Sequence, residues 1–212
     1  MALANYTDLT ASIAAWLDRT DLTSVIPDFV ALFEANANTE GAIRTQFNRT
    51  STSLTTTNGT NYVSTPSDFL SVDSALVTVP GGPFEVLSPF GGAAAMYTSY
   101  PSAAVAKNRP KGYINLASKL ELAPVPDATY TITLYYYQKI PALVTNTTNW
   151  LITNAPQAYL SMCLSFGKAK MEDYQGAALL RSTALQTLED LGIQSNVAQR
   201  GRAQVRIPGF TP

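Results

Sequence analysis

Apolar positions change their spacing along the chain, and each change marks a new kind of element. Leu9, Ile13, Trp16 and Leu17 recur at the intervals of one helical face. Thr7 or Asp8 is placed to cap this helix, and the polar run Asp18-Arg19-Thr20-Asp21 to end it. A second helix is predicted from Pro27, whose missing N–H costs nothing in a first turn. Phe29, Leu32, Phe33 and Ala37 mark one face of it, and Asp28 suits the positive end of its dipole.

From about Arg44 to Trp150 the helical spacing is lost. Thr, Ser and Asn dominate residues 50–67, and Asn58-Gly59 is the strongest hairpin signal in the chain. Short β-prone runs follow at Ser74–Val79, Phe84–Leu87, Tyr113–Leu122 and Thr129–Tyr137. Pro-Gly-Gly-Pro at 80–83, Pro-Phe-Gly-Gly at 89–92 and Pro-Val-Pro-Asp at 124–127 separate them as turns. Tyr130, Ile132, Leu134 and Tyr136 alternate with Thr131, Thr133, Tyr135 and Tyr137, which predicts a strand with one apolar and one hydroxyl-bearing face.

Helix returns after Asn154, a natural N-cap, with Pro156 in its first turn. Tyr159, Leu160, Cys163, Leu164, Phe166 and Gly167 form its buried face, and Asp173 with Gly176 breaks it. The last helix carries Ala177, Leu180, Ala184, Leu185, Leu188 and Leu191 as one stripe, and Gly192 sits where a C-cap belongs. Beyond it the helical period disappears, leaving Arg200, Arg202 and Arg206 with no acid, and the ending Ile-Pro-Gly-Phe-Thr-Pro around Phe210.

These elements predict an α+β fold. Terminal helix pairs (1–47 and 151–194) form an α-helical bundle, residues 48–150 a β-rich insertion, and residues 195–212 an extended C-terminal arm. Antiparallel helix pairs joined by short turns bury such stripes at low cost.

Composition narrows the function. Only 14% of the 212 residues are charged, which suits a surface largely hidden against neighbours, and a net charge of −1 excludes a broadly basic nucleic-acid binder. With no His and a single Cys, Cys163, the commonest general base is missing and no intramolecular disulfide can form. The first residues lack a signal peptide's basic start and apolar core, and no run reaches the length of a membrane span. The expectation is a soluble protein made in the cytoplasm, with no membrane partner. The four Asn-x-Thr sequons, at Asn5, Asn48, Asn58 and Asn146, then read as chance in a Thr-rich chain.

Catalytic motifs are weak. Ser165-Phe-Gly-Lys168 has the Ser-x-x-Lys spacing but no Lys-Thr-Gly or Ser-Asp-Asn companion, and Gly167-Lys168-Ala169 lacks the upstream glycine of a phosphate loop. The acid pairs Asp18/Asp21, Glu172/Asp173 and Glu189/Asp190 fall at helix ends or on polar faces, where solvated surface is the simpler account than glycoside hydrolysis. No EF-hand loop occurs, and no cofactor or metal site is expected. Lys107, Arg109, Lys111 and Lys119 make a modest basic patch, read as a solvated or partner-facing loop. The tyrosines at 135–137 serve core and subunit contact in one reading, sugar or base stacking in another. The Arg-bearing tail reads as an arm that orders on a partner.

Several stretches, in order, resemble the phage head–tail adaptor family, the portal-joining connectors of short-tailed phages. Trp16-Leu17-Asp18-Arg19-Thr20-Asp21-Leu22 and Ile26 to Ala35 resemble its first two helices. Pro66-Ser67-Asp68-Phe69-Leu70 resembles its step into the β section. Asn108 to Tyr113 and Leu120 to Asp127 resemble its central strands. The tyrosine-rich strand 130–137, Ile140-Pro141-Ala142-Leu143, and Asn149-Trp150-Leu151 complete the series. One departure is that residues 36–41 are neutral to acidic where the family has arginine-rich turns.

The resemblance implies a non-enzymatic virion protein at the head–tail junction: a homo-oligomeric ring of twelve copies on the portal protein. Tail tube or nozzle proteins would lie below, and DNA would pass through the lumen without sequence-specific binding. Interface candidates are Arg200, Arg202, Arg206 and Phe210 on the arm, with Tyr135 and Tyr137 on the β section. A carbohydrate-binding or fibre-like module remains the alternative, and a carboxylate glycosidase a further one.

Overall fold

Asn5, not Thr7 or Asp8, starts the first helix. Its backbone is extended, its side chain accepts the Asp8 N–H at 2.9 Å, and helix α1 runs Tyr6–Leu17 to a left-handed Asp18. This is a computed structural model, describing residues 3–39, 44–78, 82–101 and 107–200, without the side chains of 199 and 200. A 3-10 turn, Thr20–Val25, leads into α2, Ile26–Thr39. Later come α3 (Ala93–Ser99), α4 (Leu143–Asn146), α5 (Trp150–Asn154), α6 (Pro156–Lys170) and α7 (Tyr174–Arg200). The strands are β1 (Arg49–Thr55), β2 (Tyr62–Ser64), β3 (Phe69–Thr78), β4 (Phe84–Val86), β5 (Ser88–Pro89), β6 (Gly112–Leu116), β7 (Lys119–Ala123) and β8 (Thr131–Gln138). The fold is α+β. Among the described residues no helix is long and apolar enough to cross a membrane.

The chain divides into two compact units, one reaching Asn48 and resuming at Ile140, the other Arg49–Lys139. In the first, α1, α2, α6 and α7 bury Leu9, Ile13, Phe33, Tyr159, Cys163, Ala184 and Leu188 in one apolar cluster. Gly167 lets α6 approach α1, because a Cβ there would stand 2.7 Å from Leu17 Cδ2. Residues 140–150, predicted as the end of the β section, pack into this helical cluster through Ile140 and Leu143, next to Leu151 and Ile152.

The second unit has two four-stranded sheets, in the orders β1-β8-β3-β4 and β2-β7-β6-β5. All pairs are antiparallel except β5 with β6. Both sheets contribute to one core, Val63, Tyr113, Leu120 and Leu122 from one and Ala75, Val77, Ile132 and Leu134 from the other. The alternation in β8 is as predicted: Ile132, Leu134 and Tyr136 are buried, and Thr131 to Tyr137 on the odd positions are not.

Several expectations need correcting. Asn58-Gly59 does form a turn, with Gly59 at φ 80°, but the turn joins no hairpin: β1 pairs with β8 and β2 with β7. A turn signal reports local backbone geometry, whereas pairing is decided by distant strands. Tyr113–Leu122 is two strands, because Ala117 at φ 42° reverses the chain between β6 and β7. Asn154 caps nothing. Asn149 caps α5 through the Ile152 N–H, and Ala155 precedes Pro156 at the start of α6. Gly192 ends nothing either. Helix α7 runs on to Arg200, since Ser195 is buried and its Oγ accepts the Gln46 N–H at 2.7 Å. Tertiary contact thus holds the helix past a residue of weak propensity. The residues after Arg200 lie outside those described.

Candidate interaction surfaces

Surface chemistry in the β unit centres on the outer face of the first sheet. Antiparallel register sets Arg49 beside Tyr137, Ser51 beside Tyr135 and Ser53 beside Thr133, so side chains bearing hydroxyls share the face away from the core. Tyr135 and Tyr137, both predicted as contact residues, therefore sit together. Arg49 Cζ lies 5.8 Å from the centre of the Tyr135 ring, and Arg49 Nη2 donates to Asp73 Oδ2 at 2.6 Å. Tyr137 donates its hydroxyl proton to Asp73 Oδ1 at 3.3 Å. On the core side, Tyr136 donates to Asp68, and burial followed by that carboxylate pushes its phenol up to about 12.

The predicted basic patch disperses. Arg109 grips Glu85 at 2.6 Å, Lys119 stands 4.9 Å over the Tyr62 ring, and Lys107 donates to Asn58 at 3.2 Å. These cations fasten the β unit's own surface. Beside Glu85, Phe84 and Val86 are exposed on edge strand β4.

The helical unit leaves apolar side chains uncovered where sequence periodicity placed two of them in the core. Trp16 is 68% exposed and Leu32 51%. Each sits at the margin of its stripe, where one step of 100° carries a side chain out of the core. On α7, Leu179, Ile193 and Val197 stand exposed along one face, with Gln186 and the exposed Asp190 between them. This face lies opposite the buried Ala184, Leu188, Leu191 and Ser195. The sequence reading missed this second stripe because the buried one dominates the same helix.

Of the predicted arm residues, Arg200 is the last residue of α7, its side chain undescribed; Arg202, Arg206 and Phe210 lie outside the described residues. The weak catalytic candidates are placed structurally. Ser165 is buried and donates to Met162 O at 2.7 Å, while Lys168 pairs with Asp173 at 3.3 Å. Burial, then the nearby Glu34, pushes the Cys163 thiol up, away from nucleophilic thiolate. Asp173 accepts the Gly176 N–H at the start of α7, and Asp21 pairs with Arg19. A shallow groove of about 350 Å³ between α1 and the start of α2 is lined by Tyr6, threonines, alanines, Ile26 and Pro27. Among the described residues no three His, Cys, Asp or Glu side chains gather to hold a metal ion.

Buried inside the helical unit is one polar hub that sequence reasoning also missed. Glu34 is 7% exposed, and among the described residues no cation pairs with it. Its Oε1 accepts the Leu143 N–H at 2.9 Å and the Tyr159 hydroxyl at 3.1 Å. Tyr159 in turn accepts from Asn149 Nδ2 at 2.7 Å, and Asn149 also donates to Pro141 O at 2.8 Å. Burial raises the Glu34 carboxyl above its ordinary value, the two hydrogen bonds opposing it. The hub pins the returning segment 141–149 to α2. The signal was available: Glu34 stands four residues after Val30 and eight after Ile26, on the buried side of α2.

The prominent surface features are a hydroxyl-bearing face with one Arg49–Asp73 pair, exposed apolar side chains on α7 and a short sheet edge bearing Phe84 and Val86. That is the make-up of a structural protein whose work is joining to other chains. The sequence matches the SU10 adaptor protein family over residues 4–208, nearly the whole chain, and it belongs to that family. It is a phage adaptor, a structural protein of the virion that contacts other virion proteins. No curated protein matches it significantly.

Proposed function

We propose that this chain is the head–tail adaptor of a tailed phage, assembling as a ring that joins the portal to the tail and lines the DNA exit channel. Family membership supports the adaptor role. The observation that supports the ring is the set of exposed apolar side chains on the helical unit, Trp16 and Leu32 together with Leu179, Ile193 and Val197 of α7. Side chains of this kind are costly to leave wet in a contiguous patch and mark contact sites. A head-to-tail contact between two different patches of one chain closes into a ring when its rotation closes, here at twelve copies. Each specific contact is expected to bury on the order of 1,000 Å² or more.

The arm beyond Arg200, with Arg202, Arg206 and Phe210, then makes the contacts to portal and neighbouring subunit, where guanidinium groups can pair with carboxylates in bidentate fashion. DNA passes the lumen without being read, in keeping with a net charge of −1.

Native mass spectrometry of the chain alone and with the portal ring from its source genome tests this. The expected result is the portal mass plus one ring of adaptor, with the copy number read directly. A chain that stays monomeric beside the portal overturns the reading. Deleting residues 201–212 should leave the fold intact, because the described apolar clusters of both units lie before Ser195, and should weaken portal attachment.

A further inference from the structure

Four strands form the edges of the two sheets, and three of them are short: β2 and β4 have 3 residues each and β5 has 2, one of them Pro89. The fourth, β1, has 7. It pairs only with β8, in unbroken register from Arg49↔Tyr137 to Thr55↔Thr131. The Thr56 N–H donates to Tyr130 O at 3.0 Å. By the antiparallel alternation, the backbone groups of Thr50, Thr52 and Leu54 therefore face β8, and those of Ser51, Ser53 and Thr55 face away. Among the described residues no backbone group meets that outer edge.

Proteins blunt such edges with lysines, prolines, bulges or inward charges, because an open ladder recruits another strand. β1 has none of these. No charged residue occurs from Thr50 to Ser67, no proline lies within the strand, and its register with β8 has no shift. An edge open over 7 residues among the described part of the chain is a site for an added strand.

The chain carries a segment of matching pattern. Beyond Arg200, Arg202-Ala203-Gln204-Val205-Arg206-Ile207 alternates polar and apolar, and Pro208 ends the run. Laid along β1, one set of side chains would extend the half-buried side formed by Thr50, Thr52 and Leu54. The other would extend the hydroxyl face with Ser51 and Ser53, where Arg49 already lies over Tyr135. Ala203, Val205 and Ile207 suit the first side, and Arg202, Gln204 and Arg206 the second. We propose that residues 202–207 of one copy add a strand to the free edge of β1 in a second copy. The identity of the acceptor as a second copy rests on the ring reading. The first half of the arm then belongs to the ring, and residues 208–212, with Phe210, are left for the portal.

The test uses a labelled peptide of residues 201–212 and the full-length chain carrying Val205→Pro, which removes an N–H from its own segment and leaves β1 open. Saturable binding by fluorescence polarisation is expected. It should weaken at least tenfold when the peptide carries Val205→Pro, and likewise when the full-length acceptor carries Ser53→Pro instead. Proline at 53 removes an outward N–H without touching the β8 ladder, and the peptide variant gives the answer even where that chain folds poorly. No saturable binding, or binding that ignores both substitutions, overturns the proposal. Mixed at equal concentration, the full-length Val205→Pro and Ser53→Pro chains should sediment as a one-to-one pair. Separate monomers despite peptide binding would put the segment on its own copy and overturn the second-copy assignment. Failure of the ring reading shows separately, as no mass shift with the portal while peptide binding persists.

Discussion

The two units treat their acids in opposite ways. In the helical unit one carboxylate, Glu34, is drawn into the core and spent on a backbone N–H and a phenol, with no cation paired to it among the described residues. In the β unit Asp68, Asp73, Glu85 and Glu121 stay at or near the surface and take Tyr136, Arg49 with Tyr137, Arg109, and Tyr97 with Asn61. The difference follows from what each unit must hold. Helices satisfy their own backbones, so the loose element in the first unit is the irregular segment 141–149, which needs an acceptor inside the core. Strands satisfy one another, so the acids of the second unit are free to fasten side chains on its outside.

The largest effect expected is from cutting either core, and it should not distinguish the units. Phe33 is 1% exposed and meets Tyr159 edge-on at 4.7 Å, so Phe33→Ala should cost about 3–5 kcal/mol. Leu134, fully buried in the sheet core, should cost about 2–5 kcal/mol as Leu134→Ala. Chemical denaturation followed by hydrogen exchange would read both. A loss well under 1 kcal/mol at either site would mean that one of the two cores is not a core.

The hub separates the units. Glu34→Leu strands the Leu143 N–H and the Tyr159 hydroxyl, at about 1–3 kcal/mol for each donor left unpaired. Glu34→Gln keeps an acceptor for both and should cost clearly less. The pH dependence has a definite sign. A carboxyl whose pKa is raised by folding binds its proton more tightly folded than unfolded. Its contribution is therefore fully present below the ordinary value of 4.5 and is lost as pH rises from there through the raised folded value. The stability difference between wild type and Glu34→Gln should shrink in wild type's disfavour across that window and be flat above it. Thermal melts from pH 4 upward would show it, and a flat Glu34 profile would mean the carboxyl is solvated.

Legibility divides along the same line. The helices could be read because their code is local: the stripes through Ile13, Phe33, Cys163 and Leu188 are visible within one or two turns. So was β8, whose alternation from Tyr130 to Tyr137 shows one buried face. What escaped depends on distant partners. Nothing near Asn58-Gly59 says that β1 will join β8, and nothing near Ala117 announces a reversal in an otherwise strand-like run. Tyr135 and Tyr137 were legible as surface residues of one strand, but the Arg49 and Asp73 that join them come from β1 and β3. The exposed line on α7 escaped for another reason, since periodicity marks a stripe without saying which stripe is covered.

Gly192 is the smallest effect and the sharpest test of that limit. Read locally, a glycine after Leu191 caps the helix in a left-handed conformation, and alanine there would be strained. In the structure Gly192 lies inside α7, its φ outside the left-handed region and nothing within 4 Å of where a Cβ would stand. Helix then continues because Ser195, three residues on, is tied to Gln46 from the far end of the sequence. Gly192→Ala should therefore stabilise the chain by about 0.5–1 kcal/mol, through lower entropy in the unfolded state and better helix propensity. A melt that moves down instead would restore the cap, end α7 near Leu191, and return residues 193–200 to the arm.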